Sequence, residues 1–518
     1  MKRYKLLSWI FLPFIMCACN GWLDVTPEDE IDEKDLFKTG MGYRHALNGV
    51  YFALGDIDLY GQHLSWGVVD ALGQCYDYRE TGTNATNAMQ YGGAQYDWDH
   101  SYMEPCIESI WKKTYNAVAN CNNIIKNIAD ESPEKFTYKH LEKSMIWGEA
   151  LALRAYMQFD MLRLFAAAPV TNPSNRTFIP YVSEYPVYVS KALTVDSCLS
   201  HVIHDLREAK ELLWKVDSAR TSLSVFWETT GERDMDYFYT NKRGFRLNYY
   251  AASAVLARVY LYAGQTENAY KEAKALIDFA EENRAFRIGY NMSSSYYGDF
   301  KSYSDILWGV ESVDLLKFVT SVNTVNTTTP KYLGIAGVKI NVFGADIKVD
   351  GKIESCNDLR FQRWVSRQED SYYNVYKFTK HEQRFEARTA VEICNTLVPM
   401  IRMSEMYYIA AEAIYETDLD AAKKYLLKVK NGRGLKSSDQ SVIDANAANK
   451  SNFLTILQND ARREWMGEGQ IFYMYKRLNL NIPTVTSIFS GYTEEYKEIE
   501  AKEDNFVVPL PNIEKDLM

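Results

Sequence analysis

Apolar residues recur at helical spacing in three long segments of the chain. One runs from residue 43 to 54, a second from 111 to 125, and a third from 145 to 165, where it ends ahead of Pro169. Side chains three and four positions apart share one face of an α-helix, so this spacing predicts amphipathic helices. The first two apolar faces are formed by Tyr43, Ala46, Leu47, Val50, Tyr51 and Leu54, and by Trp111, Tyr115, Val118, Cys121, Asn122 and Ile125. The chain is therefore predicted to be mainly helical.

Two later segments fit the tetratricopeptide pattern, in which small and bulky apolar residues at fixed offsets let two helices pack closely. The matching residues are Leu256, Ala257, Tyr260, Gly264, Ala269 and Ala273 in the first segment, and Ile409, Ala410, Ala413, Ala422 and Leu426 in the second. Ordinary antiparallel helix pairs remain an alternative for each. Because the two segments are well separated in the sequence, we predict a superhelical scaffold rather than one continuous array.

The region between these two segments has a different character. Residues 284–350 are rich in Ser, Thr, Asn, Gly and Tyr, and short apolar runs such as residues 306–310 predict strands. The predicted fold class is mainly α: a tetratricopeptide-like scaffold of helical pairs that carries a loop-rich module with a few short strands.

The first residues have the layout of an export signal. Lys2, Arg3 and Lys5 precede a mostly apolar run over residues 6–16, which is shorter than the about 20 residues that a membrane-spanning helix needs. Ala18 before Cys19 suits a lipoprotein signal peptidase, so we predict a signal peptide over residues 1–18, lipidation of Cys19 and a tether over residues 19–34. An ordinary cleavage site beside an incidental cysteine is the alternative.

Composition excludes some classes of partner. The net charge of −10 and the isoelectric point near 5.4 argue against nucleic acid and disfavour polyanionic glycans. Six cysteines remain besides Cys17 and Cys19, and none belongs to a C-x-x-C motif. We interpret most of them as small buried apolar residues, with one or two disulfides allowed by an exported compartment. No cofactor is predicted.

Six sequence motifs, in the same order, resemble those of the SusD/RagB family of Bacteroidetes outer-membrane lipoproteins. They are CNGWLDVTP at residues 19–27, Trp111 with NNII at 122–125, GEALALRAY at 148–156, VPMIRMSEMY with AAEA over 398–413, RRE, GEG and KR over 462–477, and VPLP at 508–511. Arg154 and Arg402 lie in apolar parts of these motifs, where a guanidinium persists only if it is paired. We expect Glu149 or Glu405, together with nearby carbonyl groups at helix C-termini, to be the partners.

The resemblance implies a non-catalytic, surface-exposed protein that is lipid-anchored in the outer membrane. It implies an N-terminal SusD-like region over residues 35–300, a C-terminal SusD/RagB-type region over residues 301–518, and a TonB-dependent transporter as partner. The implied ligands are oligosaccharides, although some relatives bind peptides.

Aromatic residues among polar ones point to where a ligand binds, because an aromatic ring matches the C–H face of a sugar and polar side chains match its hydroxyls. Residues 60–102 contain such a cluster, and they show no helical apolar face in which these rings would pack as core. A second cluster lies near residue 290. The resemblance places the ligand cleft in the same two regions. The candidate ligand-binding residues are Asp70, Tyr76, Tyr78, Arg79, Tyr96, Trp98, Tyr290, Tyr296 and Tyr297.

Two other functional classes compete with a binding protein. The sequence has none of the common motifs of serine hydrolases, zinc proteases or nucleotide-binding enzymes, although a glycosidase carboxylate pair has no fixed spacing to detect. His201 and His204 form an H-x-x-H without a third metal ligand, and we interpret them as surface residues. A pure tetratricopeptide interaction scaffold would explain the helices but not the aromatic loops.

Overall fold

The protein is described by a computed structural model over residues 33–76, 91–172, 175–187, 189–218, 243–289, 301–323, 334–335, 358–367, 373–375, 377–378, 395–434, 447–488 and 493–515. The helices within these ranges are α1 Glu33–Leu36, α2 Gly40–Leu54, α3 Val68–Leu72, α4 Met103–Ala129, α5 Lys139–Phe165, α6 Val195–Asp217, α7 Tyr249–Tyr262, α8 Thr266–Glu282, α9 Leu315–Asn323, α10 Leu359–Trp364, α11 Met403–Ile414, α12 Leu419–Gly432, α13 Lys450–Glu464, α14 Ile471–Leu478, α15 Glu503–Phe506 and α16 Asn512–Lys515. The fold is mainly α, as predicted.

The strands are short and form small antiparallel sheets. They are β1 Thr177–Ile179, β2 Leu193–Thr194, β3 Ile306–Glu311, β4 Gly334–Ile335, β5 Val365–Arg367, β6 Tyr373–Val375, β7 Leu397–Arg402, β8 Ile482–Ile488 and β9 Thr493–Ile499. Strand β1 pairs with β2, β3 with β7, β6 with both β4 and β5, and β8 with β9. The apolar run at residues 306–310 is therefore a strand, as predicted, and its partner β7 leads directly into α11.

The three helices predicted from apolar spacing are α2, α4 and α5. Tyr43, Leu47, Val50 and Leu54 form the buried face of α2, which begins where the Thr39 hydroxyl accepts a hydrogen bond from the amide of Gly42. Every side chain from residue 148 to residue 165 of α5 is buried, so this helix lies inside the core rather than on its surface. It ends at Phe165, ahead of Pro169.

Both tetratricopeptide-like segments are pairs of packed helices, α7 with α8 and α11 with α12. Ala257, Ala269 and Ala273 are fully buried where α7 and α8 approach, and Gly264 forms the turn with a positive φ of 72°. The expected separation of the two pairs is wrong, because α8 packs directly against α11 and α4 to α8 also pack in succession. Distance along the sequence therefore does not separate the pairs in space.

Arg154 and Arg402 are buried and paired, as expected, but neither expected carboxylate is right. Arg402 does donate to a carbonyl at a helix C-terminus, that of Glu464 at the end of α13, at 2.7 Å. Arg154 donates to Asp205 at 2.7 and 2.8 Å. Glu149 instead pairs with Arg243, and Glu405 accepts from Arg258 at 2.6 and 2.7 Å. Glu149 is a poor partner for Arg154 because a residue five positions away on a helix points in a different direction.

A second buried cluster, which we call the Glu464 junction, consists of Glu464 with Arg360, Arg402 and Arg433. Arg360 and Arg433 donate to the Glu464 carboxylate at 2.9 and 2.6 Å, and Arg402 contacts it as well. Burial alone would raise the pKa of Glu464, but the three guanidinium groups hold it well below the ordinary value. The junction joins α10, α12 and α13 to the end of β7.

Cysteine and histidine positions agree with their interpretation. Cys75, Cys106, Cys121 and Cys198 are buried, and the last three form no disulfide. His201 and His204 are exposed on α6, where the His201 ring stacks on Tyr181 with centroids 5.1 Å apart. Across the described ranges, no three His, Cys, Asp or Glu side chains come together in a way that could hold a metal ion.

Candidate functional site

The early part of the first aromatic cluster belongs to the core. Tyr60, Trp66 and Tyr76 are at most 2% exposed. The Tyr60 hydroxyl donates to Asp160 at 2.9 Å, and the Trp66 indole donates to the carbonyl of Gly61 at 2.7 Å. These rings are buried although the sequence has no helical apolar pattern there to predict it. Tyr60 and Trp66 belong to the irregular backbone of residues 55–67, which places them in the interior. The position of Tyr76 does not support the prediction that it contacts ligand.

Asp70 is also placed in the interior. Its carboxylate accepts hydrogen bonds from the amides of Gly467 at 2.7 Å and Gly469 at 3.0 Å, and both glycines have a positive φ. Burial raises the pKa of Asp70 to about 7, although the two amides oppose the shift. Asp70 therefore ties α3 to the loop between α13 and α14, and its full burial leaves no surface for a ligand.

The later part of the cluster lies at the surface. Tyr96 and Trp98 are half-buried, with their rings edge to face and their centroids 5.9 Å apart. The Tyr96 hydroxyl donates inward to the carbonyl of Leu72, and the Trp98 indole donates to the carbonyl of Asp504 at 3.0 Å. Tyr102 is 44% exposed and its ring lies 5.9 Å from that of His100. We call residues 91–102 with residues 500–506 the ligand face, after the sequence prediction that Tyr96 and Trp98 contact ligand.

Hydrogen bonds from polar side chains connect the ligand face to the rest of the molecule. The Gln74 amide donates to the carbonyl of Ala94 at 2.7 Å and accepts from the Thr484 hydroxyl at 2.6 Å. Gln74 and Tyr96 both have φ values near +56°, a region that side chains other than glycine rarely adopt. The early segment is thus held in an uncommon conformation between α3 and the β8–β9 hairpin.

The closing part of the chain completes this surface. Arg176 forms a salt bridge with Glu503 at 2.6 Å, and Trp98 contacts residue 504 of the same short helix. Sequence reasoning missed Gln74, Thr484 and Asp504, since their contacts span about 400 positions of the chain and have no local signature. The exposure of Tyr102 was also missed, although this residue lies in the aromatic cluster.

The remaining candidates lie outside the described residues. These are Tyr78, Arg79, Tyr290, Tyr296 and Tyr297, together with the predicted lipid attachment residue Cys19. In the described part of the chain, no helix combines the length and the apolar character needed to cross a bilayer.

Two protein-family models match the chain. One, described as starch-binding associating with outer membrane, matches residues 22–223, and the other, described as the SusD family, matches residues 353–510. Together they cover well over half of the chain. The chain belongs to the SusD/RagB family.

Curated SusD-family relatives match in part. SusD-like protein P38 of Formosa agariphila is 25% identical over 225 residues, which cover 43% of this chain and 40% of that protein. SusD-like protein P25 of the same organism is 23% identical over 211 residues, or 40% of this chain and 38% of that protein. The match thus spans about two fifths of each relative.

Solved structures of SusD-family proteins match nearly the whole chain. A SusD superfamily protein from Bacteroides thetaiotaomicron has a TM-score of 0.66 at 20% identity, with 92% of this chain and 98% of that chain covered. A SusD-like carbohydrate binding protein from Bacteroides vulgatus has a TM-score of 0.61 at 16% identity, with 92% and 96% covered. At these identities the likeness shows the shared fold.

Proposed function

We propose that this SusD-family protein is a lipid-anchored cell-surface protein that captures oligosaccharides and delivers them, chemically unchanged, to a TonB-dependent outer-membrane transporter. Family membership supports this function, as does the description of a matching family as starch-binding. The signal-like start with Cys19 supports the anchor. The transporter rests on the family resemblance.

The observation that carries the proposal is the half-exposed pair of Tyr96 and Trp98. A sugar ring stacks on an aromatic face through its C–H groups, while its hydroxyls need polar partners close by. Gln95, Asp97 and Asp99 are exposed beside the two rings and offer amide and carboxylate groups. Because the polar ends of both rings are bonded to backbone carbonyls, the rings are held in place before a ligand arrives.

The contribution of the predicted second cluster is part of the same proposal. Tyr290, Tyr296 and Tyr297 would contact ligand from the middle of the chain, and Tyr78 and Arg79 from the segment that precedes Tyr96. These assignments rest on the sequence alone.

Calorimetric titration of a panel of oligosaccharides, with and without Trp98→Ala, tests the proposal. Loss of one stacked ring removes about 1 to 3 kcal/mol of binding free energy, or roughly tenfold or more in affinity. Trp214→Ala is the matched control, since Trp214 is half exposed on α6 and its ring packs against that of Tyr249 rather than on the ligand face. An unchanged affinity in the Trp98 variant would place the ligand elsewhere.

The same titrations separate the competing classes. A peptide digest that binds where every glycan fails would change the ligand to peptide and leave the architecture intact. Mass spectrometry of a bound oligosaccharide after long incubation should return the starting mass. Shortened products that disappear on mutation of a carboxylate pair would make the protein a glycosidase.

The anchor and the partner are tested in cells. Cys19→Ala should release the protein from the membrane fraction, and retention with unchanged detergent partitioning would refute lipidation at that residue. A tagged copy at native expression should recover a TonB-dependent transporter from detergent extracts, and recovery of none would contradict the delivery step.

A further inference from the structure

The ligand face carries an excess of exposed carboxylates. Asp97 and Asp99 flank Trp98 in the sequence, and Asp504 supplies the carbonyl that accepts from the Trp98 indole. Glu104 lies two residues after Tyr102. All four side chains are exposed. Acidic charge therefore surrounds the rings that we propose as the sugar platform.

Basic side chains near this face are already paired with other acids. Arg176 is bound to Glu503 at 2.6 Å, and Lys502 lies 3.5 Å from Glu500. No ion pair to Asp97, Asp99, Glu104 or Asp504 occurs among the described residues, and Glu104 accepts only from the neutral amide of Asn512. Among the described residues, these four carboxylates thus have no basic partner.

Charge of this kind acts over short distances in water. Two unit charges 4 Å apart interact by about 1 kcal/mol in bulk water, and salt screens the interaction over about 8 Å at physiological ionic strength. Asp97 and Asp99 are the chain neighbours of Trp98, so a ligand stacked on its ring lies within that range of them. A carboxylate or sulfate on the ligand is repelled there, and an ammonium group is attracted.

We infer that the ligand face selects oligosaccharides by charge, so that sugars with amino groups bind better than uncharged sugars, and uncharged sugars bind better than uronic acids. This inference rests on the proposed function, because it names the class of oligosaccharide that the same site takes.

Two pairs of hexasaccharides that share a backbone test the inference by titration of the full chain. The first pair is the glucosamine hexamer and its N-acetylated form, and the second is the galacturonate hexamer and its methyl ester. At low salt we expect the amine to bind about tenfold better than its acetylated form, and the ester about tenfold better than the acid. Both ratios should fall towards one at high salt.

Charge-removing variants locate the effect. In Asp97→Asn with Asp99→Asn, both ratios should fall several-fold, while Glu282→Gln, an exposed change at the end of α8, should leave them as in the unmodified protein. Thermal melts confirm that each variant is folded.

Equal binding within both pairs, or ratios that the double variant does not change, would overturn the inference and leave the proposed function standing. Failure of the glucosamine hexamer to bind at low salt would overturn it too. The proposed function itself falls only if no glycan of the wider panel binds.

Discussion

The Glu464 junction and the ligand face use charged side chains in opposite ways. At the junction, three guanidinium groups converge on a carboxylate that is fully buried, and each charge is compensated by its neighbours. At the ligand face, Asp97, Asp99 and Asp504 are exposed and have no basic partner among the described residues. At the junction, buried charges that compensate one another fix a single arrangement of the helices. At the ligand face, exposed carboxylates and half-exposed rings remain available to a ligand. Residues that build the fold thus differ from the proposed ligand-binding residues in how their charges are compensated.

The largest effect is expected from Glu464→Ala. It leaves Arg360, Arg402 and Arg433 buried without their shared carboxylate, and breaking a buried ion pair from one side costs about 3 to 5 kcal/mol. Urea denaturation should show this loss or failure to fold. The matched control is Glu267→Ala, whose pair with Lys271 is exposed and whose loss should leave the midpoint nearly unchanged. Equal midpoints for the two variants would contradict a stabilising junction.

Tyr260→Ala should have the next largest effect. Tyr260 is 3% exposed between α7 and its neighbours, and its hydroxyl accepts from Arg207 at 2.8 Å. Truncating a buried aromatic ring costs about 3 kcal/mol or more through the cavity that it leaves. We expect a large drop in melting temperature and, because Tyr260 is buried against Arg207 of α6 rather than placed on the ligand face, unchanged glycan affinity. A small drop in melting temperature together with a loss of glycan affinity would mean that Tyr260 contacts the ligand rather than the core.

Asp70→Asn should cost less, and the cost should depend on pH. An amide has one acceptor oxygen for the two amides of Gly467 and Gly469, so the loss is about 1 to 3 kcal/mol. Because burial raises the pKa of Asp70 to about 7, the folded state holds a proton that the unfolded chain releases near pH 4. The contribution of Asp70 to stability is therefore complete below about pH 4 and declines towards pH 7.

Urea denaturation of the Asp70→Asn variant and of the unmodified protein at pH 5 and pH 8 tests whether the contribution of Asp70 to stability falls as pH rises. The difference in unfolding free energy between them should be larger at pH 5. A difference that grows with pH would mean that the two amides outweigh burial and keep Asp70 ionised.

The smallest change in stability is expected from Trp98→Phe. It removes the hydrogen bond from the indole to the carbonyl of Asp504 but keeps an aromatic ring, so the loss should be about 1 kcal/mol or less. Glycan affinity should fall less than in Trp98→Ala, since a smaller ring still stacks. If Trp98→Phe destabilised the protein as much as Tyr260→Ala, the ligand face would be core.

Much of the fold could be predicted because its signals are local. The spacing of Tyr43, Leu47, Val50 and Leu54 marks α2, and the small residues Ala257, Ala269 and Ala273 mark the close approach of α7 and α8. The candidate site was less predictable. Tyr76 and Trp98 occur in similar polar surroundings in the sequence, yet one is fully buried and the other is half exposed.

The sequence by itself determined the helical class, the two helical pairs and the need for partners at Arg154 and Arg402, since periodicity and the cost of burying a charge act at single positions. Only the tertiary structure decided that Asp205 and Glu464 are those partners, that α8 packs on α11, and that the closing residues hold Trp98. These contacts join distant parts of the chain. Their partners are selected by packing geometry, which leaves no pattern along the sequence.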